Sequence, residues 1–255
     1  MANARFGAEI GHLPWWHGGS LGGVTVVEHL IPENEQERLE AVHRYGILDT
    51  PPDGAFDRIT RLAAAILDVP ISIVSIVDHD RIWFKSTQGL HGVEQIGRDP
   101  GLCASAILSD TTWVVNDARV DPRTLANPLV AGEFGLQFYA GSPLHTQDGF
   151  NLGTLCVIDK HPRELTQEQL RVLDDLAALV VDELELRLAV RQQMRHSTEI
   201  NDDVVQALSL AKASFQVNEA EQAMTALDQA LAASKRILAE LAEDARDLRR
   251  TTGAN

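Results

Sequence analysis

The clearest pattern along the chain is a set of short runs rich in β-branched and aromatic residues. PISIVSIVD (70–78) and RIWFKSTQ (81–88) are separated by a turn-forming pair, and LQFYAGSPLHTQ (136–147) and FNLGTLCVID (150–159) are separated in the same way. Runs of this length joined by short polar turns predict antiparallel hairpins. WVVND (113–117) predicts one more strand. The central part of the chain is therefore expected to form a sheet.

Helical patterns flank these strands. Asn34 and Glu37 have the spacing of a capping box, and Asp53 is predicted to cap the next helix after a Pro-Pro break. This second helix is expected to pack on the sheet through an apolar face formed by Phe56, Ile59, Ala63 and Ile66. GLCASAIL (101–108) predicts a short helix. The segment 117–134 predicts a long loop, a feature that often has a functional role.

The last part of the chain carries long helical stripes. Thr166 and Gln169 form a second capping-box pattern. The stripe that follows comprises Leu173, Leu176, Val180, Leu184 and Leu188. A further apolar stripe comprises Ile200, Val204, Leu208, Ala211 and Phe215. The final helix, predicted over 219–248, carries a heptad seam at Ala223, Leu227, Ala230, Ser234, Ile237 and Leu241. Such a seam requires a partner helix.

Composition and charge limit the class of partner. The 255 residues are 44% hydrophobic and 23% charged, which is ordinary for a globular protein. A net charge of −15 and a pI near 4.9 argue against nucleic acid or an anionic membrane as the main partner. No apolar run approaches the roughly 20 residues of a membrane span, and no leader pattern opens the chain. With two cysteines in all, no disulfide framework is implied, and a cytoplasmic location is expected.

Seven segments stand in order along residues 34–190: RYGILDTPPDGAFDRITRLAA, VPISIVSIVDHDRIWFKSTQGL, LCASAIL, VVNDARVDPR, NPLV, FYAGSPL and LGTLCVIDKHPRELTQEQ. Together they closely resemble the GAF sensory domain. The resemblance implies an α+β fold with a central antiparallel sheet of about six strands. It also implies helices from both domain ends packed on one face and a small-molecule pocket on the other. We divide the chain into a loosely ordered extension (1–32), a GAF domain (33–190) and a helical hairpin (191–250).

A second resemblance covers residues 196–248. EINDDVVQAL (199–208) is similar to the phosphoacceptor helix of histidine kinases, whose helical hairpins dimerise as four-helix bundles. Asn201 stands where that family has its histidine, and an amide is not a nucleophile. His196 lies five residues earlier and is followed by Ser197 rather than an acid. The chain ends soon after Arg250, which leaves no room for a nucleotide-binding kinase domain, so no autonomous kinase is expected. Without this domain and with Asn201 in place of the histidine, we expect a non-enzymatic protein.

The two cysteines support an enzymatic alternative. Cys103 is predicted at the start of a short helix, where a thiolate is favoured, and Cys156 lies within a strand. GAF relatives include free methionine sulfoxide reductases, which use pocket cysteines, so the resemblance implies a thiol-dependent reductase as one hypothesis. The apolar surroundings of Cys156 favour a packing role instead, because buried cysteine behaves as a small hydrophobe.

The resemblance also indicates which residues form the pocket wall. The candidates are Trp83, Lys85, Cys103, Arg98, Asp117, Arg123, Phe138, Tyr139 and Cys156. Trp83 and Lys85 alternate along one strand, which places an aromatic ring beside a cation on one face. As alternatives, Trp83 and Phe138 belong to the core, and Asp117 pairs with Arg123. The histidines lack metal-ligand spacing, so no metal and no cofactor are predicted.

We therefore expect a cytoplasmic, non-enzymatic homodimer that senses an unknown small molecule and passes its state to a downstream signalling protein. Neither nucleic acid nor a membrane is an expected partner. Two alternatives remain open at this point: the reductase, and a structural adaptor that pairs with a histidine kinase.

Overall fold

The computed structural model of the chain describes residues 31–216 and 220–252. The extension predicted over 1–32 lies almost entirely outside the described residues. The chain divides into two compact units, the first ending at Arg187 and the second beginning at Leu188. No helix among the described residues is long and apolar enough to cross a membrane.

The first unit is built on one antiparallel sheet of six strands in the order β3-β2-β1-β6-β5-β4. The strands are β1 (Ile71–Val77), β2 (Arg81–Gln88), β3 (Gln95–Gly97), β4 (Trp113–Val115), β5 (Phe138–His145) and β6 (Asn151–Asp159). The helices are α1 (Glu35–Tyr45), α2 (Gly54–Ile66), α3 (Cys103–Ala106), α4 (Pro128–Ala131), α5 (Gln167–Gln216) and α6 (Ala220–Thr252).

The strand pattern read from the sequence is confirmed in its main features. The hairpins β1–β2 and β5–β6 form as predicted, and β1 joins them by pairing with β6. The edge strand β3 has no sequence signal of its own, because three residues are too few to show a period. The predicted long loop contains the short helix α4, which Asn127 caps through its side chain.

The helix boundaries follow local capping chemistry in two of three places. Asp53 accepts a hydrogen bond from the Ala55 amide at 2.9 Å, and Thr166 and Gln169 form a reciprocal capping box. The capping box predicted at Asn34 is wrong, because that side chain makes no cap hydrogen bond. Ile66, predicted on the buried face of α2, is 51% exposed.

Three helices cover one face of the sheet and are joined by polar contacts. α2 packs on β1 and β2, and α1 packs on β6. The Tyr45 hydroxyl of α1 donates to Glu185 of α5 at 2.6 Å, and Ser142 of β5 donates to Asp174 of α5 at 2.8 Å. The apolar stripe predicted for α5, from Leu173 to Leu188, is buried at all five positions.

The second unit consists of the end of α5 and of α6, which lie side by side with small residues buried between them. These are Ala211, Ser214, Ala223, Ala226, Ala230 and Ala233. Leu227 and Ser234 of the predicted seam are half-buried, as is Val204 of the predicted stripe, but Leu208 is 47% exposed. The side chains at 195–201, 203, 215, 237 and 241 lie outside the described part of the structure, and these include His196 and Asn201.

Candidate functional site

An apolar cavity lies on the face of the sheet that carries α3. It encloses about 50 Å³, and its walls include Ile73, Phe84, Leu102, Cys103, Tyr139 and Ile158. Preformed pockets for drug-sized ligands enclose roughly 300–1,000 Å³, whereas one water needs about 10–15 Å³. The cavity therefore has room for a few water-sized molecules and is too small for a nucleotide.

Two thiols meet beside this cavity. The Sγ atoms of Cys103 on α3 and Cys156 on β6 lie 3.9 Å apart, and both residues are buried. Cys156 pairs with Ile73 of β1 on one side and with Gly141 of β5 on the other. The central strand thus holds Cys156 in place, while Cys103 belongs to a short helix packed above it.

Hydroxyl groups surround the thiols on the same face of the sheet. Ser75 and Thr154 are paired across β1 and β6, and their side-chain oxygens lie 3.0 Å apart. The buried hydroxyl of Tyr139 has no hydrogen-bond partner among the described residues. It lies over Gly141, where an added Cβ would be 2.3 Å from it. Gly141 therefore leaves the space that Tyr139 occupies next to Cys156.

The thiols and the phenol influence one another's protonation. Hydrogen bonding from Cys156, then from Ser75 and Thr154, lowers the pKa of Cys103 despite its burial. The interaction with Cys103, together with burial, raises the pKa of Cys156 well above its ordinary value. Burial, and then the charge of the thiol pair, also raises the pKa of Tyr139.

Trp83 and Lys85 lie on the opposite face of the sheet from the cavity. Lys85 Nζ donates to Thr50 Oγ1 at 2.8 Å and to the Pro51 carbonyl at 2.6 Å. It also lies 5.4 Å from the Phe56 ring centroid and 5.8 Å from that of Trp83. The aromatic ring and the cation are adjacent, as their spacing predicts, but they pack against the α2 region and do not line the cavity.

A β-bulge at Lys85 places Ser86 on the same face of the sheet as Lys85. Val74 of β1 faces Ser86, and the next residue, Ser75, faces Phe84, so Lys85 is an extra residue in β2. Ser86 donates to Asp57 of α2 at 2.6 Å, so Lys85 and Ser86 both lie on the face of the sheet that α2 covers. Strict alternation along β2 does not hold at this point.

Phe138 and Tyr139 are neighbours on β5 and point to opposite faces. Tyr139 lines the cavity, whereas Phe138 shares the α5 side with Ser142. Phe138 is fully buried and belongs to the core beneath the helices, which was the alternative drawn from the sequence.

Asp117 and Arg123 do not pair with each other and do not reach the cavity. Asp117 binds Arg119 at 2.8 Å, and Arg123 binds Asp121 at 2.6 Å. The Arg123 guanidinium also donates to the Val114 carbonyl and lies 5.1 Å from the Trp113 ring centroid. Both pairs lie in the turn after β4, and the alternative in which Asp117 pairs with Arg123 is wrong.

Arg98 belongs to a buried ion-pair network that sequence reasoning missed. Glu35 accepts two hydrogen bonds of 2.8 Å from Arg38 and a further short one from Arg98. Arg38 also donates to the Val77 carbonyl at 2.8 Å. Burial would raise the pKa of Glu35, but hydrogen bonds and charge from the two arginines outweigh it and lower this pKa to about 2. The i,i+3 spacing of Glu35 and Arg38 was the available sequence signal.

A wider groove of about 540 Å³ lies at the edge of the first unit, between α2 and the end of β6. Three of its lining residues are engaged with one another, since Asp159 binds both His161 and Arg163. No cluster of three or more metal-ligating side chains occurs within residues 31–216 and 220–252. Among the sequence candidates, Cys103, Tyr139 and Cys156 come together beside the cavity, and Trp83 and Lys85 come together on the opposite face.

Comparison with known proteins places this architecture in context. A family model described as the GAF domain matches residues 51–184, more than half of the 255 residues. The cyclic di-GMP phosphodiesterase PA2567 of Pseudomonas aeruginosa is 42% identical over 151 residues, which are 59% of this chain and 26% of that protein. The chain thus spans about a quarter of the length of this relative.

Two solved structures are similar to part of this chain. The GAF domain of an Acinetobacter phosphoenolpyruvate-protein phosphotransferase is 17% identical with a TM-score of 0.44, covering 61% of this chain and 98% of that one. The free methionine-R-sulfoxide reductase from Neisseria meningitidis is 19% identical with a TM-score of 0.43, covering 62% of this chain and 90% of that one.

Proposed function

Because this chain belongs to the GAF domain family, we propose that it is a non-enzymatic sensory protein whose sheet detects a small molecule and whose helices transmit the result in a homodimer. The observation that carries the proposal is α5, a single helix of 50 residues that contributes to both units. Its first turns bury Leu173 and Val180 in the first unit, and its last turns bury Ala211 in the second. A change in the packing of the first part can therefore alter the second.

The volume and the apolar walls of the cavity limit the size and charge of the ligand. Its walls are apolar apart from the Cys103 thiol and the Tyr139 hydroxyl, and its volume is about 50 Å³. A ligand of this site is therefore very small and uncharged. The relative named a cyclic di-GMP phosphodiesterase supports a role in signalling, but a cavity of this size does not support binding of a cyclic dinucleotide.

The second unit favours a second copy of the chain as its partner. Val205 and Leu208 on α5 and Met224 and Leu231 on α6 are about half exposed, although they carry large apolar side chains. Leu208 and Leu227 line a groove of about 450 Å³ between the two helices. Two helices that leave such a seam open are stabilised when a twin covers it, as in a four-helix bundle.

The proposed bundle transmits a signal without accepting phosphate. Asn201 occupies the position of the phosphoacceptor histidine, and an amide nitrogen does not attack a phosphoryl group. We infer that the dimer acts by contact with another signalling protein. A ligand shifts the equilibrium between two helix arrangements if it binds one arrangement more tightly than the other, and no phosphate transfer is needed.

Multi-angle light scattering of the full chain tests the dimer. We expect twice the mass of the 27.9 kDa chain, and we expect Leu208→Glu combined with Leu227→Glu to give the monomer mass. Ser209→Glu is the matched control, because Ser209 is exposed on the same helix and does not line the groove. A wild-type monomer, or a dimer that survives the double substitution, would exclude this interface.

A thiol-dependent reductase is the second candidate, favoured by the 3.9 Å separation of Cys103 and Cys156. Reduction of a sulfoxide would oxidise both thiols to a disulfide and release water. The cavity of about 50 Å³ is too small for free methionine sulfoxide. The test is to measure reduction of this substrate in the presence of an added thiol reductant. Activity that is abolished by Cys103→Ser would favour the reductase over the non-enzymatic sensor.

The other alternative, a structural adaptor, differs from the sensor in its binding partner, which would be a histidine kinase. Mixing the chain with a histidine kinase would then give a complex of mixed composition in preference to the homodimer. A stable homodimer that does not exchange subunits with the kinase favours the sensor.

A further inference from the structure

The contact between Cys103 and Cys156 places the only two cysteines of the chain together although they are 53 residues apart in sequence. Their Sγ atoms are 3.9 Å apart, so a bond of about 2.0 Å requires them to approach by roughly 2 Å. Chance packing of two thiols does not require polar neighbours. Here Ser75, Thr154 and Tyr139 bring three hydroxyl groups to the same face of the sheet.

The surroundings allow the thiols to approach each other. Cys156 lies in β6 between two paired strands, but Cys103 lies in the four-residue helix α3, between the edge strands β3 and β4. The cavity borders Cys103, so α3 is not tightly packed on that side. A shift of α3 towards the sheet is therefore the motion that closes the gap.

The cavity also admits a reactant of suitable size. Its volume of about 50 Å³ accommodates a molecule as large as two or three waters, which includes hydrogen peroxide. The described residues that line it carry no carboxylate and no cation, so an uncharged oxidant fits better than an anion. Cys103 faces this space directly.

We propose that Cys103 and Cys156 form an oxidation site for small hydroperoxides, which convert the two thiols into an intramolecular disulfide. The Cys103 thiolate attacks one peroxide oxygen and the O–O bond breaks. Cys103 becomes a sulfenic acid, and the departing oxygen takes up a proton and leaves as water or an alcohol. Cys156 then loses its proton and its sulfur attacks Cys103 Sγ. The S–S bond forms, and the hydroxyl leaves as a second product, water.

The pKa shifts of the two thiols agree with this order of events. The pKa of Cys103 is lowered by Cys156 and by the hydroxyls of Ser75 and Thr154, whereas the pKa of Cys156 is raised. Cys103 lines the cavity and Cys156 does not, so Cys103 meets the oxidant first, attacks as the thiolate, and is resolved by Cys156. An added dithiol reductant restores both thiols by exchange.

This inference rests on the proposed function in one respect: it names hydroperoxides as the small molecules that the sensory protein detects. Formation of the disulfide can be measured whether or not the chain dimerises.

The test treats the reduced full-length protein with hydrogen peroxide. Remaining thiols are then alkylated under denaturing conditions, and intact mass and disulfide-linked peptides are measured. We expect loss of two hydrogens, no alkylation, and one linkage between Cys103 and Cys156. Both thiols remaining alkylatable at peroxide doses that fully oxidise glutathione would overturn the proposal. A disulfide between two chains would overturn it as well.

Two variants assign the roles of the thiols. Cys156→Ser is expected to accumulate sulfenic acid at Cys103, detected with a dimedone probe, and Cys103→Ser is expected to leave Cys156 unlabelled. Labelling of Cys156 in the second variant would contradict the assigned order. Light scattering of the oxidised wild type separates the two proposals: a disulfide in a monomer refutes only the dimeric sensor, and a dimer without a disulfide refutes only the oxidation site.

Discussion

The hydroxyl of Tyr139 occupies the space above Gly141, where a Cβ atom would lie 2.3 Å from the phenol oxygen and 2.8 Å from the ring carbon that bears it. The two residues alternate on one face of β5, and Gly141 pairs with Cys156. Gly141, which has no side chain, therefore leaves beside Cys156 the space that the Tyr139 hydroxyl occupies.

Gly141→Ala should displace the Tyr139 ring and destabilise the first unit. Overpacking of this kind costs about 1–3 kcal/mol. Urea denaturation followed by tryptophan fluorescence measures the change, since Trp113 lies 5.4 Å from the Tyr139 ring. Gly54→Ala is the control, because its Cβ would find its nearest neighbour at 3.8 Å. Equal stability of the two variants would contradict the close approach of Tyr139 to Gly141.

Glu35 should make the stability of the fold sensitive to acid. Its pKa is lowered from 4.5 to about 2 by Arg38 and Arg98, against the effect of burial. The stabilisation is therefore fully present above pH 4.5 and is lost as the pH falls from 4.5 towards 2. Its size at neutral pH is about 3 kcal/mol, since one pKa unit corresponds to about 1.4 kcal/mol.

Comparison of Glu35→Gln with the wild type at several pH values measures this contribution. We expect the variant to be less stable at pH 7, because the substitution leaves two buried guanidinium groups without their carboxylate. The difference should shrink on acidification. Glu37→Gln serves as the control, since Glu37 is exposed on the same helix. A difference between Glu35→Gln and wild type that does not change with pH would argue against the ion-pair network.

Phe84 and Lys85 are adjacent in sequence but should respond differently to truncation. Phe84→Ala enlarges the cavity and is expected to cost about 3–5 kcal/mol. The enlarged site should bind a small aromatic such as benzene, which raises the melting temperature of the variant.

Lys85→Ala should also lower stability, by removing the hydrogen bonds to Thr50 and Pro51, but should create no site for benzene. Thermal melting with and without benzene distinguishes the two variants. A rise in melting temperature for Lys85→Ala would place Lys85 on the cavity face after all.

Asp53 combines a helix cap with an ion pair, and two substitutions separate them. Asp53→Asn keeps the acceptor for the Ala55 amide and removes the charge that binds Arg187 at 2.6 Å. Asp53→Ala removes both. We expect the alanine variant to be less stable than the asparagine variant by about 1 kcal/mol, as measured by urea denaturation. Equal stabilities would mean that the cap contributes nothing at this helix start.

Elements that depend on neighbouring residues could be predicted from the sequence. The two hairpins, the Asp53 cap, the Thr166–Gln169 capping box and the buried stripe of α5 all follow from local periodicity and turn chemistry. The ordered motifs also sufficed for the GAF resemblance, which the family match confirms. Local pairing was less well predicted after β4, where Asp117 and Arg123 each bind an arginine or aspartate two residues away.

The face of the sheet on which each strand residue lies, and the contacts between distant residues, could not be predicted because they depend on tertiary packing. Alternation along β2 predicts that Trp83 and Lys85 lie together, but not on which side, and the bulge at Lys85 breaks the alternation. The proximity of Cys103 to Cys156, and of Glu35 to Arg98, depends on how the sheet brings distant segments together. The cavity volume depends on how side chains from several elements fill one space, and a linear pattern contains no such information.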